Sequence, residues 1–201
     1  MAIEFHFDFG SPNAYLSHLV MPQIVARTGM AVAYIPVLLG GVFKATGNAS
    51  PAVTLQGIKN KGEYQRLETT RFLQKHAITR YTANPFFPVN TLQIMRGAVF
   101  ASNQDYFERY VNQVYYHMWC EPKKMDDIDV VRQALDASDL PADDIIAGIQ
   151  DSEVKQQLID NTQASVERGN FGSPTFFVND EMFFGKDKLV DFEAEILKPS
   201  N

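Results

Sequence analysis

The chain has 201 residues, 45% hydrophobic and 21% charged, the balance of a soluble globular protein with a sizeable core and little disorder away from its ends. Its formal charge of −6 argues against a nonspecific hold on nucleic acid, and its single cysteine, Cys120, rules out an internal disulfide. No run reaches the ~18 apolar residues of a membrane span, and the opening lacks the basic start and small-residue cleavage site of a secretory signal, so a cytoplasmic protein is expected.

Residues 2–9 alternate as a strand does, with Ile3, Phe5, Phe7 and Phe9 on one side and Glu4, His6 and Asp8 on the other, and Gly10 should end it. Pro12 fits the first turn of a helix, which should run to Thr28 and stop at Gly29, with Pro22 kinking or splitting it. Met30 to Leu39 returns to strand character, completing a β-α-β unit. Residues 40–51, GGVFKATGNASP, read as a loop holding Lys44 and Asn48 among glycines.

From about 52 to 170 the chain is rich in helix formers. RFLQKH, IMRGAVFAS, YFERYVNQVYYHMW and DIDVVRQALDAS all space apolar residues three or four apart. A second loop, residues 78–91, carries the aromatic pair Phe86-Phe87 between two prolines and leads to a helix starting near Thr91. The tail reads as a β-β-α unit: TFFVND and EMFFG joined by a turn at Asn179-Asp180, then a helix with Leu189, Phe192 and Ile196 on one side. A β-α-β unit separated by helices from a β-β-α unit is the plan of a thioredoxin fold with a helical insertion.

Ser11 stands where the first strand gives way to a helix. Unpaired amides and a partial positive charge gather there, so the hydroxyl either caps the helix or steadies an anion such as a bound thiolate. No cysteine lies in that turn, so any thiol must arrive with a ligand. Cys120 reads as a buried filler, and Tyr115 and Trp119, four apart, as core. Ser173 precedes the strand-opening Pro174, a position whose backbone can hold an extended thiol-bearing peptide, the more so with a cis bond. The four histidines have no ligand spacing, which speaks against a metal, and neither a Walker A loop nor a dinucleotide glycine motif is present.

FDFGSPNAYL, the Lys44 to Asn48 loop, NPFFPVNT, FGSPTFFV and FGKDKL, in that order over nearly the whole chain, resemble 2-hydroxychromene-2-carboxylate isomerase and its relatives, the kappa-class glutathione transferases. The resemblance implies an α/β thioredoxin-like fold with a large all-helical insertion, of the DsbA-like, kappa-class kind. Residues 1–51 with 152–201 would form a discontinuous thioredoxin-like domain and 52–151 the inserted helical domain. It further implies glutathione as cofactor, a small aromatic carboxylic acid as substrate, and a homodimer. Ser11 would be the catalytic hydroxyl that donates to the glutathione sulfur. Ser173 and Pro174 would hold the cysteinyl part, and Lys186 and Asp187 the γ-glutamyl end, although Asp187 could equally cap a helix. Lys61 matches a lysine that reaches the glycyl carboxylate, and Asn48 orders the loop or touches ligand. Lys44, Asn84 and Phe86 would line the substrate site. Two departures stand out: the run before Gly47-Asn48 is one residue shorter than in the isomerases, and Val53 lies where they tend to carry an asparagine.

The leading expectation is a glutathione-dependent isomerase in aromatic catabolism. The rivals are a transferase or peroxidase that consumes glutathione, a noncatalytic glutathione-binding module, and a disulfide oxidoreductase, which the lack of Cys-x-x-Cys nearly removes.

Overall fold

Ile3, Phe5 and Phe7 share one face of the first strand, β1 (Ile3–Phe7), and all three are buried. The strand stops at Phe7, short of the expected Gly10, because Phe9 has left the sheet: its carbonyl accepts the Trp119 indole N–H at 2.8 Å and its own N–H faces the Met95 sulfur. The structure, a computed structural model, describes residues 1–199.

Helix α1 (Pro12–Thr28) follows without interruption at Pro22, so the expected split does not occur, and it ends on Gly29 in the left-handed region, φ 68°. Strand β2 (Ala33–Pro36) pairs parallel to β1, with Phe5 opposite Tyr34, and is shorter than the Met30–Leu39 run expected. Leu39 instead begins a helix, α2 (Leu39–Thr46), where a loop was expected. Of the two glycines that suggested a break, Gly41 serves packing here. A Cβ on Gly41 would lie 3.1 Å from the Thr162 methyl, so the bare backbone lets α2 approach α9 (Ser152–Glu167) closely.

Between them run α3 (Pro51–Thr54), α4 (Lys61–Lys75), α5 (Leu92–Ala101), α6 (Phe107–Trp119), α7 (Ile128–Asp136) and α8 (Ala142–Gly148), helices over each segment where the apolar spacing predicted one. The hairpin β3 (Thr175–Val178) and β4 (Glu181–Phe184) turns at Asn179, φ 52°, and a 3-10 turn at Lys186–Lys188 leads into α10 (Leu189–Ile196). The strand order is β2-β1-β3-β4, with β3 antiparallel to both neighbours.

Both faces of β1 are covered. His6 is buried with its ring nitrogens at 2.8 Å from the Ser165 hydroxyl of α9 and 3.0 Å from the Glu4 carboxylate. One apolar cluster joins Phe5, Phe7 and Phe176 of the sheet to Ile94, Tyr110 and Leu135 of the helices. No helix among the described residues is long and apolar enough to cross a membrane.

Candidate active site

The turn Asp8-Phe9-Gly10-Ser11 carries the chain from β1 into α1. Ser11 has extended backbone, φ −93° and ψ 112°, and is the N-cap of α1: its Oγ accepts the Ala14 N–H at 3.2 Å. The same hydroxyl donates to the Ser173 carbonyl at 2.9 Å. Capping therefore uses only a lone pair of Ser11, and the proton points to the segment before β3. Ser11 is almost wholly buried, whereas Ser173 is half-buried. The Ser173–Pro174 bond, whose state the sequence left open, is cis.

The segment leading to Ser173 is held by a residue that spacing did not reveal. Asn170 is fully buried; its carbonyl oxygen accepts from Gly172 N–H and the Thr175 hydroxyl, and its amide donates to Ser165. Asn48, just beyond α2, donates from its amide to the Phe171 carbonyl at 2.8 Å, which ties the α2–α3 connection to the same segment. On the other side Gly185 N–H donates to the Pro174 carbonyl at 2.9 Å, so Lys186 and Asp187 follow directly from the end of the hairpin.

Lys186 is buried, with its ammonium 2.6 Å from the exposed Asp187 carboxylate and 5.0 Å above the Phe72 ring. A cavity of about 300 Å³ opens there, lined in part by Arg71, Phe72, Lys75, His76, Lys186 and Asp187. Another, of about 430 Å³, lies between α5 and α8 and shares no residue with the Ser11 turn.

Ser11, Ser173, Pro174 and Asn48 thus come together, with Lys186 and Asp187 one hairpin rung away. Lys44, in the last turn of α2, and Lys61, the first residue of α4, are exposed, and their side chains make no hydrogen bond among the described residues. Asn84 is buried as a clasp for its own loop: its amide donates to the Met118 and Lys123 carbonyls, and its oxygen accepts from Phe86 N–H. Phe86 is exposed. Its neighbour Phe87 lies 6.0 Å from Trp119, and Tyr81 stacks between Tyr15 and Trp119 at 6.4 and 6.3 Å. This aromatic row flanks the Ser11 turn, because Trp119 is bonded to Phe9 and Tyr15 is one helical turn beyond Ser11.

Burial raises the pKa of Asp8, in the same turn, and lowers those of His6 and His18, the last to about 4. Cys120 is half-buried where a buried filler was expected; its sulfur lies 2.8 Å from the Tyr15 hydroxyl. Tyr115 and Trp119 are core residues, as their spacing suggested. No group of three His, Cys, Asp or Glu among the described residues could hold a metal ion.

Comparison with known proteins matches residues 2–197 to the DSBA-like thioredoxin domain family. A 2-hydroxychromene-2-carboxylate isomerase of Sphingobium xenophagum is 25% identical over 197 residues, 97% of each chain. Glutathione S-transferase kappa 1 of Rattus norvegicus is 22% identical over 93% of this chain and 87% of its own. Among solved structures, a 2-hydroxychromene-2-carboxylate isomerase superposes with a TM-score of 0.83 at 24% identity, covering 98% of this chain and 94% of that one.

Proposed function

Because the chain belongs to the DSBA-like thioredoxin domain family yet carries Ser11 and no cysteine in its first turn, we propose that it is a glutathione-dependent isomerase acting on a 2-hydroxychromene-2-carboxylate type of acid. The observation that carries this reading is the Ser11 hydroxyl facing the Ser173 carbonyl at 2.9 Å, a donor and an acceptor side by side at a helix N-terminus. The similarity to isomerases and kappa transferases along nearly the whole chain supports it.

The residues present suit glutathione, a peptide with one thiol, two carboxylates and one ammonium. The Ser173 backbone suits its cysteinyl part, as an added strand. Asp187 suits the ammonium, and Lys186 or Lys61 a carboxylate. Rotation of the Ser11 hydroxyl away from Ser173 would free its proton for the sulfur and leave the carbonyl for a peptide N–H of the ligand. An ordinary thiol has a pKa near ~8.5, and lowering it by ~2 units takes about 2.7 kcal/mol of preference for the anion, which one hydroxyl and the α1 amides share.

Glutathione held there would supply a thiolate for reversible addition to the acid's conjugated double bond, allowing rotation with no net loss of thiol. The protein holds the acid against that sulfur and shields it from water. Phe86, exposed next to Phe87, offers an aromatic face to the acid's ring. Lys44 is a cation for its carboxylate, and Asn84 keeps the Phe86 loop in shape. The exposed apolar side chains Val53, Ile58, Tyr64 and Leu67 on and around α3 and α4 support a homodimer.

The test follows the chromene acid by absorbance while free thiol is counted. Isomerisation with constant thiol is expected, and stoichiometric thiol loss would make the protein a transferase. Ser11→Ala should lower turnover more than tenfold with the fold intact by circular dichroism; unchanged turnover would remove Ser11 from the chemistry.

A further inference from the structure

Asp8 keeps a carboxylate out of all solvent contact, in the very turn that presents Ser11. One oxygen accepts the Gly10 N–H at 2.8 Å, and the other accepts the N–H of Leu39, the first residue of α2, at 2.7 Å. The hydroxyl of Thr91, the N-cap of α5, lies in the same corner and favours its ionised form. Its backbone is engaged as well: the Asp8 carbonyl accepts the Ser11 N–H at 3.1 Å, and the Asp8 N–H donates to the Ser173 hydroxyl at 3.3 Å. Gly10 leaves this corner no slack, since a Cβ there would lie 3.1 Å from the Thr91 methyl and 3.2 Å from the Asp8 carboxylate.

One side chain thus links the Ser11 turn to the start of α2 beside Thr91 at the start of α5, while its backbone reaches the segment before β3. Burying a carboxylate is costly, and only neutral donors face this one. From α6 the titratable group near it is Tyr115, whose ionisation Asp8 opposes; no lysine or arginine contributes to its surroundings. An apolar residue at the end of β1 would serve the core at lower cost, so the carboxylate has another use.

We propose that Asp8 is a positioning residue for Ser11, holding the turn so that the Ser11 hydroxyl meets the sulfur of a bound thiol at the mouth of α1. The inference rests on the reading of Ser11 given above. It also fixes a sign. A carboxylate acting simply as a nearby negative charge would raise the pKa of the bound thiol, and its removal would lower it. A carboxylate acting by position does the opposite: without it, Ser11 drifts and the thiol pKa rises.

The experiment titrates the thiolate absorbance of bound glutathione against pH and measures its affinity by calorimetry. In Asp8→Asn one carboxylate oxygen becomes an N–H donor facing another N–H, which loosens the turn at nearly constant volume. Affinity within about threefold of the parent, with the bound thiol pKa raised by about one unit, is the expected result. Thr91→Val, which removes one donor and keeps the shape, should shift it the same way by less. A folded Asp8→Asn protein whose bound thiol pKa is unchanged or lower overturns the proposal. If Asp8→Asn does not fold, Thr91→Val decides, and an unchanged pKa there overturns it. Ser11→Ala in the same titration separates the two ideas. If Ser11→Ala leaves the bound thiol pKa unchanged, the reading of Ser11 falls and takes the Asp8 proposal with it; if it raises the pKa and Asp8→Asn does not, only Asp8 falls.

Discussion

Single atoms decide how the Ser11 turn is held. The Trp119 indole donates to the buried Phe9 carbonyl, and a phenylalanine in its place would fill most of the space while leaving that carbonyl without a partner. Trp119→Phe should therefore lower unfolding stability by about 1–3 kcal/mol in a denaturant titration, with a matching loss of turnover because Phe9 sits two residues before Ser11. Ser11→Ala removes a cap as well as a donor to Ser173, so its stability should fall by about 1 kcal/mol in the same measurement. Ser11 was legible in the sequence because a hydroxyl between a strand and a Pro-led helix is a local pattern. Asn170 was not, because its partners at Ser165, Gly172 and Thr175 are set by the route of the chain, and an asparagine just after a glycine looks like any loop residue.

At the level of elements, glycine carries two opposite meanings. In α5, a Cβ on Gly97 would lie 2.1 Å from the Tyr110 hydroxyl of α6, which itself donates to the Ile94 carbonyl. Gly97→Ala should destabilise the protein by about 2 kcal/mol or more, since a fully buried tyrosine must move. Gly40, in α2, has nothing within 4 Å of its absent Cβ, and Gly40→Ala should stabilise by about 0.5–1 kcal/mol through helix propensity. Thermal melts of the two variants should move in opposite directions. The Gly40-Gly41 pair explains why α2 read as a loop. Two adjacent glycines signal a turn on local grounds, whereas Gly41 is there to admit the Thr162 methyl of α9, a contact 121 positions away in sequence.

For the whole molecule, acid is the expected weak point. His18 is held neutral by burial, with its ring nitrogens at 2.9 Å from the Tyr34 hydroxyl and 2.8 Å from Asn112 and its face on Tyr115. As pH falls below ~6.5 the unfolded chain takes up a proton that the folded one refuses until about pH 4, so stability is present at neutral pH and is lost across that window. Chemical denaturation at pH 5 should show about 2 kcal/mol less stability than at pH 7 from this group, and His18→Gln should flatten the slope. His6 acts in the same sense, and Asp8 in the opposite one, since burial makes it easier to protonate in the fold. Sedimentation equilibrium tests the dimer, which should weaken in Leu67→Glu if α4 lies in the interface. What the sequence by itself determined was local: the alternating β1, the Pro12-to-Gly29 helix, the Asn179 hairpin and the spaced helices, all readable because neighbours along the chain set their periodicity and turns. Only the tertiary structure decided that Ser11 meets Ser173, 162 positions away, that Asp8 is sealed among four segments, and that α2 is helical, because each depends on which surfaces the packed sheet and helices bring within reach.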